Sequence, residues 1–336
     1  MVIADQPHQN PAGCLPEGAG IVVSRGRWET VVEPSQFGRF PFEDGDRLAV
    51  SSPQAAAALP RTPDGSLHFQ TGRRRYRLPA EFKITPHKGY NFPEHLVVLT
   101  GAGTSTLDAY GQIHIDSYKK HMGLEPDMSL LEIGSGMGRD ALQLFDFLSE
   151  DGRYVGIDVT WDSVEWCARN FTPQWPNFAF HHFDAKHELY NPLGAKTSMD
   201  FTLPLSDNSV DRAFLGSVFT HLFEEEITHY LREIGRVLKP DGLAYCNFFL
   251  YSDETIASAR NNNMTPHNLR FEHAYADGCY VNDAAYPTGA VAFTDDAMRR
   301  MMHNAGVSLS RPYLRGFWSG LHQDPEDGQE VAIIAK

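Results

Sequence analysis

A glycine-rich loop and three acids stand at spacings that could hold a small ligand. Residues 130–141 read LLEIGSGMGRDA. Gly134 and Gly136 remove side chains, so the backbone can approach a ligand closely, and Gly138 lets the next helix pack tightly on the strand. A dinucleotide loop needs G-x-G-x-x-G. Counted from Gly134, the third glycine of that pattern belongs at position 139; Arg139 stands there and Gly138 comes one place early. The phosphate loop ending in Gly-Lys-Ser/Thr is absent as well. What stands here is E-x-G-x-G-x-G, from Glu132 to Gly138.

The acids narrow the ligand. YVGIDVT places Asp158 at the end of a second strand, where a carboxylate can accept both hydroxyls of a ribose. FHHFDAKH places Asp184 at the end of a third, where it can accept from an adenine amino group while Ala185 offers a backbone N–H to the ring. Glu132 lies under the loop and can accept from an ammonium group or order the loop. Three acids suit a ligand with a cationic amino-acid part and no phosphate; a pyrophosphate would be repelled. Plainer readings stand beside these. The glycines could serve turns only, and Asp158 and Asp184 could be helix N-caps. Trp161 could flank an adenine, or Trp161 and Trp166 could both face the core.

These residues need a parallel sheet, since ligands bind beyond the carboxyl ends of its strands. Strand patterns fall at 130–133, 154–157, 178–182, 210–215, 243–250, 307–314 and 330–335, with helical patterns between most of them. The strongest helix is 223–238. Ile227, Tyr230, Leu231, Ile234 and Leu238 recur at helical spacing, Glu224–Glu226 crowd its first turn, and Pro240-Asp241-Gly242 is expected to stop it. The alternation implies a doubly wound α/β sheet. Residues 107–124 read as a helix leading into the domain. Residues 1–20 read as a disordered tail, 21–90 as a small β-rich module with turns at 43–45 and 63–65, and 91–336 as the main domain.

Composition sets the outer limits. The 336 residues are 42% hydrophobic and carry a formal net charge of −14. That charge repels phosphate backbones and anionic lipid, so nucleic acid and membrane are not expected partners. The RRRYR cluster at residues 73–77 reads as the solvated face of a short strand. The four cysteines have no paired spacing; Cys167 and Cys246 read as packed thiols. Without an apolar run of about 18 residues or a secretory pattern, the expected location is the cytoplasm.

The ordered set of motifs resembles class I S-adenosylmethionine-dependent methyltransferases. The matching stretches are LLEIGSGMGRDA, GIDVT, FDA, LPLSDNSVDRAFLGSVFTHL and YLREIGRVLKPDG, within a span from about residue 92 to 336. The resemblance implies a seven-stranded sheet whose last strand, 330–335, is antiparallel. It implies S-adenosylmethionine as cofactor, held by Tyr110, Glu132, Gly134, Ser135, Gly136, Asp158, Val159, Asp184, Ala185, Ser217 and Val218. A sulfonium methyl is already activated, so the protein mainly aligns donor and acceptor. A hydroxyl acceptor needs a base too. GSVFTHL, at the end of the fourth strand, offers His221 first; its plainer role is to cap or pack the following helix. His273 is the second choice, within a segment at 251–293 expected to form a lid. Metal-dependent relatives carry Glu where Ser217 and Thr220 stand, so no metal site is expected.

The segment Arg315 to Gly320 and the chain end, QEVAIIAK, resemble bacterial methyltransferases of sugar, glycan and natural-product pathways. The expected function is therefore O-methylation of a small molecule, sugar or glycan. N-methylation, or a protein target recognised by residues 21–90, is the alternative within the class. A non-catalytic S-adenosylmethionine-binding regulator is the alternative outside it. The expected partners are the acceptor and, as an option, a second copy of the chain.

Overall fold

The computed structural model describes the backbone of strands β1 (Ile21–Arg25), β2 (Trp28–Val32), β3 (Arg47–Val50), β4 (Leu67–Thr71) and β5 (Arg74–Leu78). From residue 84 onward it describes the whole chain except 102, 188–189, 192–193 and 266. The expected tail at 1–20 and the turns at 43–45 and 63–65 lie outside the described residues. So do the side chains of the arginine cluster, whose last residues fall on β5. β1 pairs antiparallel with both β2 and β3, and β4 pairs with β5. A hairpin of β6 (Ile84–His87) and β7 (Tyr90–Pro93) follows, then a helical turn α1 (Glu94–Val97).

The helix α2 (Leu107–Met122) leads into the main sheet, as the sequence implies. The elements that follow alternate: β8 (Ser129–Ile133), α3 (Arg139–Leu144), β9 (Arg153–Asp158), α4 (Trp161–Asn170), β10 (Phe178–His182), β11 (Val210–Leu215), α5 (Glu224–Val237) and β12 (Leu238–Leu250). After β12 come α6 (Asp253–Asn262), β13 (His273–Ala276), β14 (Cys279–Val281), β15 (Val291–Phe293), α7 (Asp295–Ala305), β16 (Ser308–Leu309) and β17 (Glu330–Ala335). The strands β10, β9, β8, β11 and β12 pair in that order and parallel. β17 pairs antiparallel with β12 and with β16. This is a seven-stranded, doubly wound sheet with its last strand reversed.

Alternation of side chains sorts the sheet into two cores. Leu131, Ile133, Ala213, Leu215, Ala244, Cys246, Ala332 and Ile334 face one side with Ile227, Leu231 and Ile234 of α5. Leu130, Tyr154, Phe214, Tyr245, Val331 and Ile333 face the other, against Tyr118 of α2 and the rings of Phe92, Phe145 and Phe171. Because Glu132 lies between two residues of the first face, its carboxylate points into the second.

Three expectations change. α5 ends at Val237, before Pro240, because the chain turns extended at Leu238 to begin β12. β12 therefore starts earlier than expected and absorbs the Pro240–Gly242 turn as a register shift, pairing Leu238 with Val210 and then Leu243 with Arg212. The expected strand at 307–314 is only the two residues of β16. Beyond it the chain is irregular, rejoining β17 through the Leu314–Val331 bridge.

The segment 251–293 folds back on the sheet. β15 runs parallel to the end of β12 at Phe249 and Leu250, and β14 and β13 continue antiparallel from it. Its own small core joins Phe249, Ile256, Leu269, Phe271 and Trp318.

Candidate active site

The glycine loop is locked onto the end of β9. The N–H groups of Gly134 and Ser135 donate to the Ile157 carbonyl at 2.7 and 3.2 Å, and the Gly136 N–H donates to Asp158 Oδ2 at 2.8 Å. The sequence suggests loop N–H groups offered to a ligand; here three of them hold the loop and aim a carboxylate. Gly134, Gly136 and Gly138 adopt φ of 82°, 48° and 69°, a region that L side chains rarely enter. Gly138 has a second reason: a Cβ there would sit 2.7 Å from Phe171 Cε2 and 3.3 Å from Cys167 Sγ. Its close neighbour is thus the end of α4, where the sequence suggests the strand beneath.

Asp158 is half-buried at the end of β9. Oδ1 accepts from the Thr160 N–H at 2.7 Å, opposite the Gly136 bond on Oδ2. Burial pushes its carboxyl up, against those N–H groups, which favour the charged form. Each oxygen keeps a lone pair for a ligand hydroxyl. Val159 follows; its carbonyl accepts from His182 Nε2 at 3.0 Å.

Beneath the loop, Glu132 accepts from the Tyr154 hydroxyl. Burial and the nearby Asp140 hold the Glu132 carboxyl well above its usual range. Asp140, equally buried, goes the other way. Burial would raise it, but the His114 ring at 2.9 Å, Arg139 and the Tyr118 hydroxyl at 3.0 Å overrule that and lower it. The pair carries its negative charge on Asp140. Ser135 Oγ is buried here without a hydrogen-bond partner.

The other named residues divide. Asp184 Oδ1 accepts from Asn191 Nδ2 at 3.1 Å. The Ala185 N–H donates to the Phe183 carbonyl at 2.8 Å, so the expected offer of that N–H to an adenine is taken up inside the chain by a tight turn. Val218 reaches the loop: a Cβ on Gly134 would lie 2.7 Å from its Cγ2. Ser217 stands at φ 58°, with Oγ donating to Gln329 Oε1 at 3.1 Å across to the start of β17. Tyr110 is exposed on α2, 48% accessible, and no described contact ties it to the loop. Trp161 and Trp166 separate. Trp161 stands edge-on to His182 at 5.2 Å, whereas Trp166 packs among Tyr90, Phe92 and Phe171.

The two histidines separate as well. His221 follows Ser217 and Val218, and its Nδ1 lies 2.8 Å from the Thr288 carbonyl, which can only accept. Nδ1 therefore carries the proton and Nε2 carries the lone pair. Burial pushes the imidazole below its usual range, and the Thr288 carbonyl only partly offsets that. His273 is exposed on β13, in a strand whose four residues all face solvent, and no described bond joins it to the site. The choice of His273 as second base is not supported by this placement; the hairpin carries it outward.

Reading the sequence missed three residues beside His221. His187, Tyr190 and His221 form a three-ring cluster with centroid distances of 4.9, 5.7 and 6.1 Å. Burial, then the neighbouring His221, pushes His187 down to about 3. Thr288 completes the group from the 251–293 segment. His187 ends the FHHFDAKH stretch, so its place after the third strand was a usable signal. Thr288 gave none, because only the fold brings residue 288 to 221.

A family profile described as a methyltransferase domain matches residues 131–246, the span from the first glycine-loop strand through the middle of β12. Residues 131–246 are a class I methyltransferase domain. The methyltransferase domain is of the kind that takes S-adenosylmethionine as methyl donor. An arsenite methyltransferase of Aquipseudomonas alcaligenes is 23% identical over 181 residues, 54% of this chain and 47% of that protein. An uncharacterized 37.1 kDa protein in a transposon of Streptomyces fradiae is 30% identical over 141 residues, 42% of this chain and 34% of its own length. The chain thus matches less than half the length of either relative. Among solved structures, a SAM dependent methyltransferase from Aquifex aeolicus is 17% identical with a TM-score of 0.40, covering 69% of this chain and 95% of that one. A putative O-methyltransferase from Nostoc punctiforme is 15% identical with a TM-score of 0.47, covering 73% and 61%.

Proposed function

We propose that the protein transfers a methyl group from S-adenosylmethionine to a hydroxyl of a small-molecule acceptor, sugars and glycans included, with His221 as general base. The site residues fit that donor. The positive-φ glycines leave the loop without side chains, Ser135 Oγ is a buried hydroxyl with no partner, and Asp158 is pre-aimed by two N–H groups. Asp158 would hold the ribose, Asp184 the adenine edge, and the charge on Asp140 under the loop would favour the cationic amino-acid end. When bound, the donor supplies an electrophilic methyl on a sulfonium and leaves as S-adenosylhomocysteine.

The observation that carries the hydroxyl reading is the His221 ring, fixed by the Thr288 carbonyl with Nε2 as its lone-pair nitrogen. A neutral imidazole in that tautomer takes the acceptor proton at Nε2 as the oxygen is methylated. Arsenite, named for one relative, asks for soft thiolate partners. Cys167, Cys246 and Cys279 are free and buried instead, and burial pushes each thiol up, that of Cys279 to about 12. The fourth cysteine, Cys14, lies outside the described residues.

Thermal unfolding tests the donor: S-adenosylmethionine and S-adenosylhomocysteine should raise the melting temperature and NAD should not. Stabilisation by NAD alone would overturn the reading. Transfer of labelled methyl to a panel of hydroxylated compounds and amines tests the acceptor atom. Methylation of amines only would defeat the hydroxyl assignment.

A further inference from the structure

We infer that the cluster of His187, Tyr190, His221 and Thr288 is the acceptor subsite, and that it takes a planar aromatic hydroxyl bearing a second hydrogen-bonding group. The inference rests on the reading of His221 as the base and narrows its substrate class. Two loops at the carboxyl edge of the sheet bring the group together. One follows β10 and carries His187 and Tyr190; the other follows β11 and carries Val218, which abuts the glycine loop, and His221. The lid closes the third side with the turn that holds Thr288. The cluster therefore adjoins the donor site instead of lying behind it.

Three observations select the acceptor. The rings of His187, Tyr190 and His221 stand within 6.1 Å of one another and remain half-buried, so part of their ring surface is accessible. Aromatic walls of this kind prefer a flat partner that can stack or pack edge-on. Second, Thr288 Oγ1 is buried and makes no hydrogen bond. A buried hydroxyl left unsatisfied costs free energy that a polar group on a ligand would recover. Third, among the described residues the partner of His221 Nδ1 is the Thr288 carbonyl and not a carboxylate. A base without that support is matched to an acidic hydroxyl, such as a phenol, better than to an aliphatic alcohol.

Calorimetry on the full-length protein loaded with S-adenosylhomocysteine tests this, with catechol as the planar probe and methyl α-D-glucopyranoside as the non-planar one. Catechol should bind saturably, and the glucoside should bind at least ten-fold more weakly or not at all. Tyr190→Leu should weaken catechol at least ten-fold and Thr288→Val several-fold, while Tyr190→Phe, which keeps the ring, should bind as the parent does. Absence of catechol binding by the loaded protein would overturn the inference. So would tighter binding of the glucoside, or catechol affinity unchanged in both Tyr190→Leu and Thr288→Val. If S-adenosylhomocysteine itself failed to bind, the donor reading would fall first and carry this inference down with it.

Discussion

Gly136 and Gly138 look alike in the sequence, two glycines one residue apart, yet they should fail differently. Gly136 donates its N–H to Asp158 and lies where a Cβ would come within 3.0 Å of Thr100 Cγ2. Gly136→Val puts a β-branched residue at φ 48° and disturbs the carboxylate proposed to hold the ribose. S-adenosylmethionine affinity should fall more than about ten-fold in calorimetry, with a backbone cost of about 1–3 kcal/mol; unchanged affinity would misplace the donor. Gly138→Ala meets the Phe171 ring at 2.7 Å instead, far from any ligand group. It should lower stability by about 1–3 kcal/mol in urea unfolding while the folded fraction binds donor nearly as before. His221 makes a pH prediction. Burial lowers its pKa, so the neutral, proton-accepting form persists below the usual value of 6.5. Turnover should hold as pH falls through 6.5 and drop only at the lower folded value. In His221→Gln that acid limb should vanish, with the rate down by about 10²-fold or more. A limb unchanged in the variant would assign it to another group.

At the scale of elements, legibility followed the reach of the information. β8 to β11 and α5 were readable because each is written in its own periodicity; Ile227, Leu231 and Ile234 face the core as their spacing requires. The short β16 was not readable. Val307 and Leu309 repeat like a strand, but the chain leaves β17 after Ser310, whose N–H donates to the Ile333 carbonyl. The site divided the same way. Asp158 was legible from its place at a strand end, whereas Thr288 depends on a segment, 251–293, that no local pattern positions. An ion pair between elements ties the β13–β14 turn of the 251–293 segment to α5 and α7. Arg300 of α7 grips Glu224, the first residue of α5, through both carboxylate oxygens at 2.7 Å, and reaches Asp277 in the β13–β14 turn at 3.2 Å. All three side chains are partly or largely exposed, so Arg300→Ala should cost about 1 kcal/mol or less in global stability. Its effect should be local: faster hydrogen exchange across residues 273–281 and a raised KM for the acceptor with donor affinity unchanged. Exchange in that hairpin matching the parent would show that the apolar core of the 251–293 segment suffices to hold it.

Across the whole molecule, the chain carries a formal −14 and still buries carboxylates under the sheet's active edge. Glu330 is the one that ties the stretch around Trp318 to the end of β12. It begins β17, is 2% accessible, and its Oε2 accepts from Trp318 Nε1 at 2.7 Å and from the Leu250 N–H at 3.1 Å. Oε1 is buried without a partner. Burial raises its carboxyl above the ordinary range despite those donors. The unfolded chain ionises this group near 4.5 while the folded protein resists, so Glu330 subtracts stability as pH rises from 4.5 toward its raised folded value. Glu330→Gln keeps an acceptor oxygen for Trp318 and Leu250 and cannot ionise. At pH 4, where both side chains are neutral, the variant should equal the parent or fall slightly below it, because its amide adds a buried donor. Between pH 4.5 and 8 the variant should gain on the parent, at a rate bounded by about 1.4 kcal/mol per pH unit until the folded group ionises. Urea unfolding at pH 4, 6 and 8 reads the difference directly. A gap that stays constant across the three would mean that Glu330 enters the folded protein already charged, with an unseen donor on Oε1.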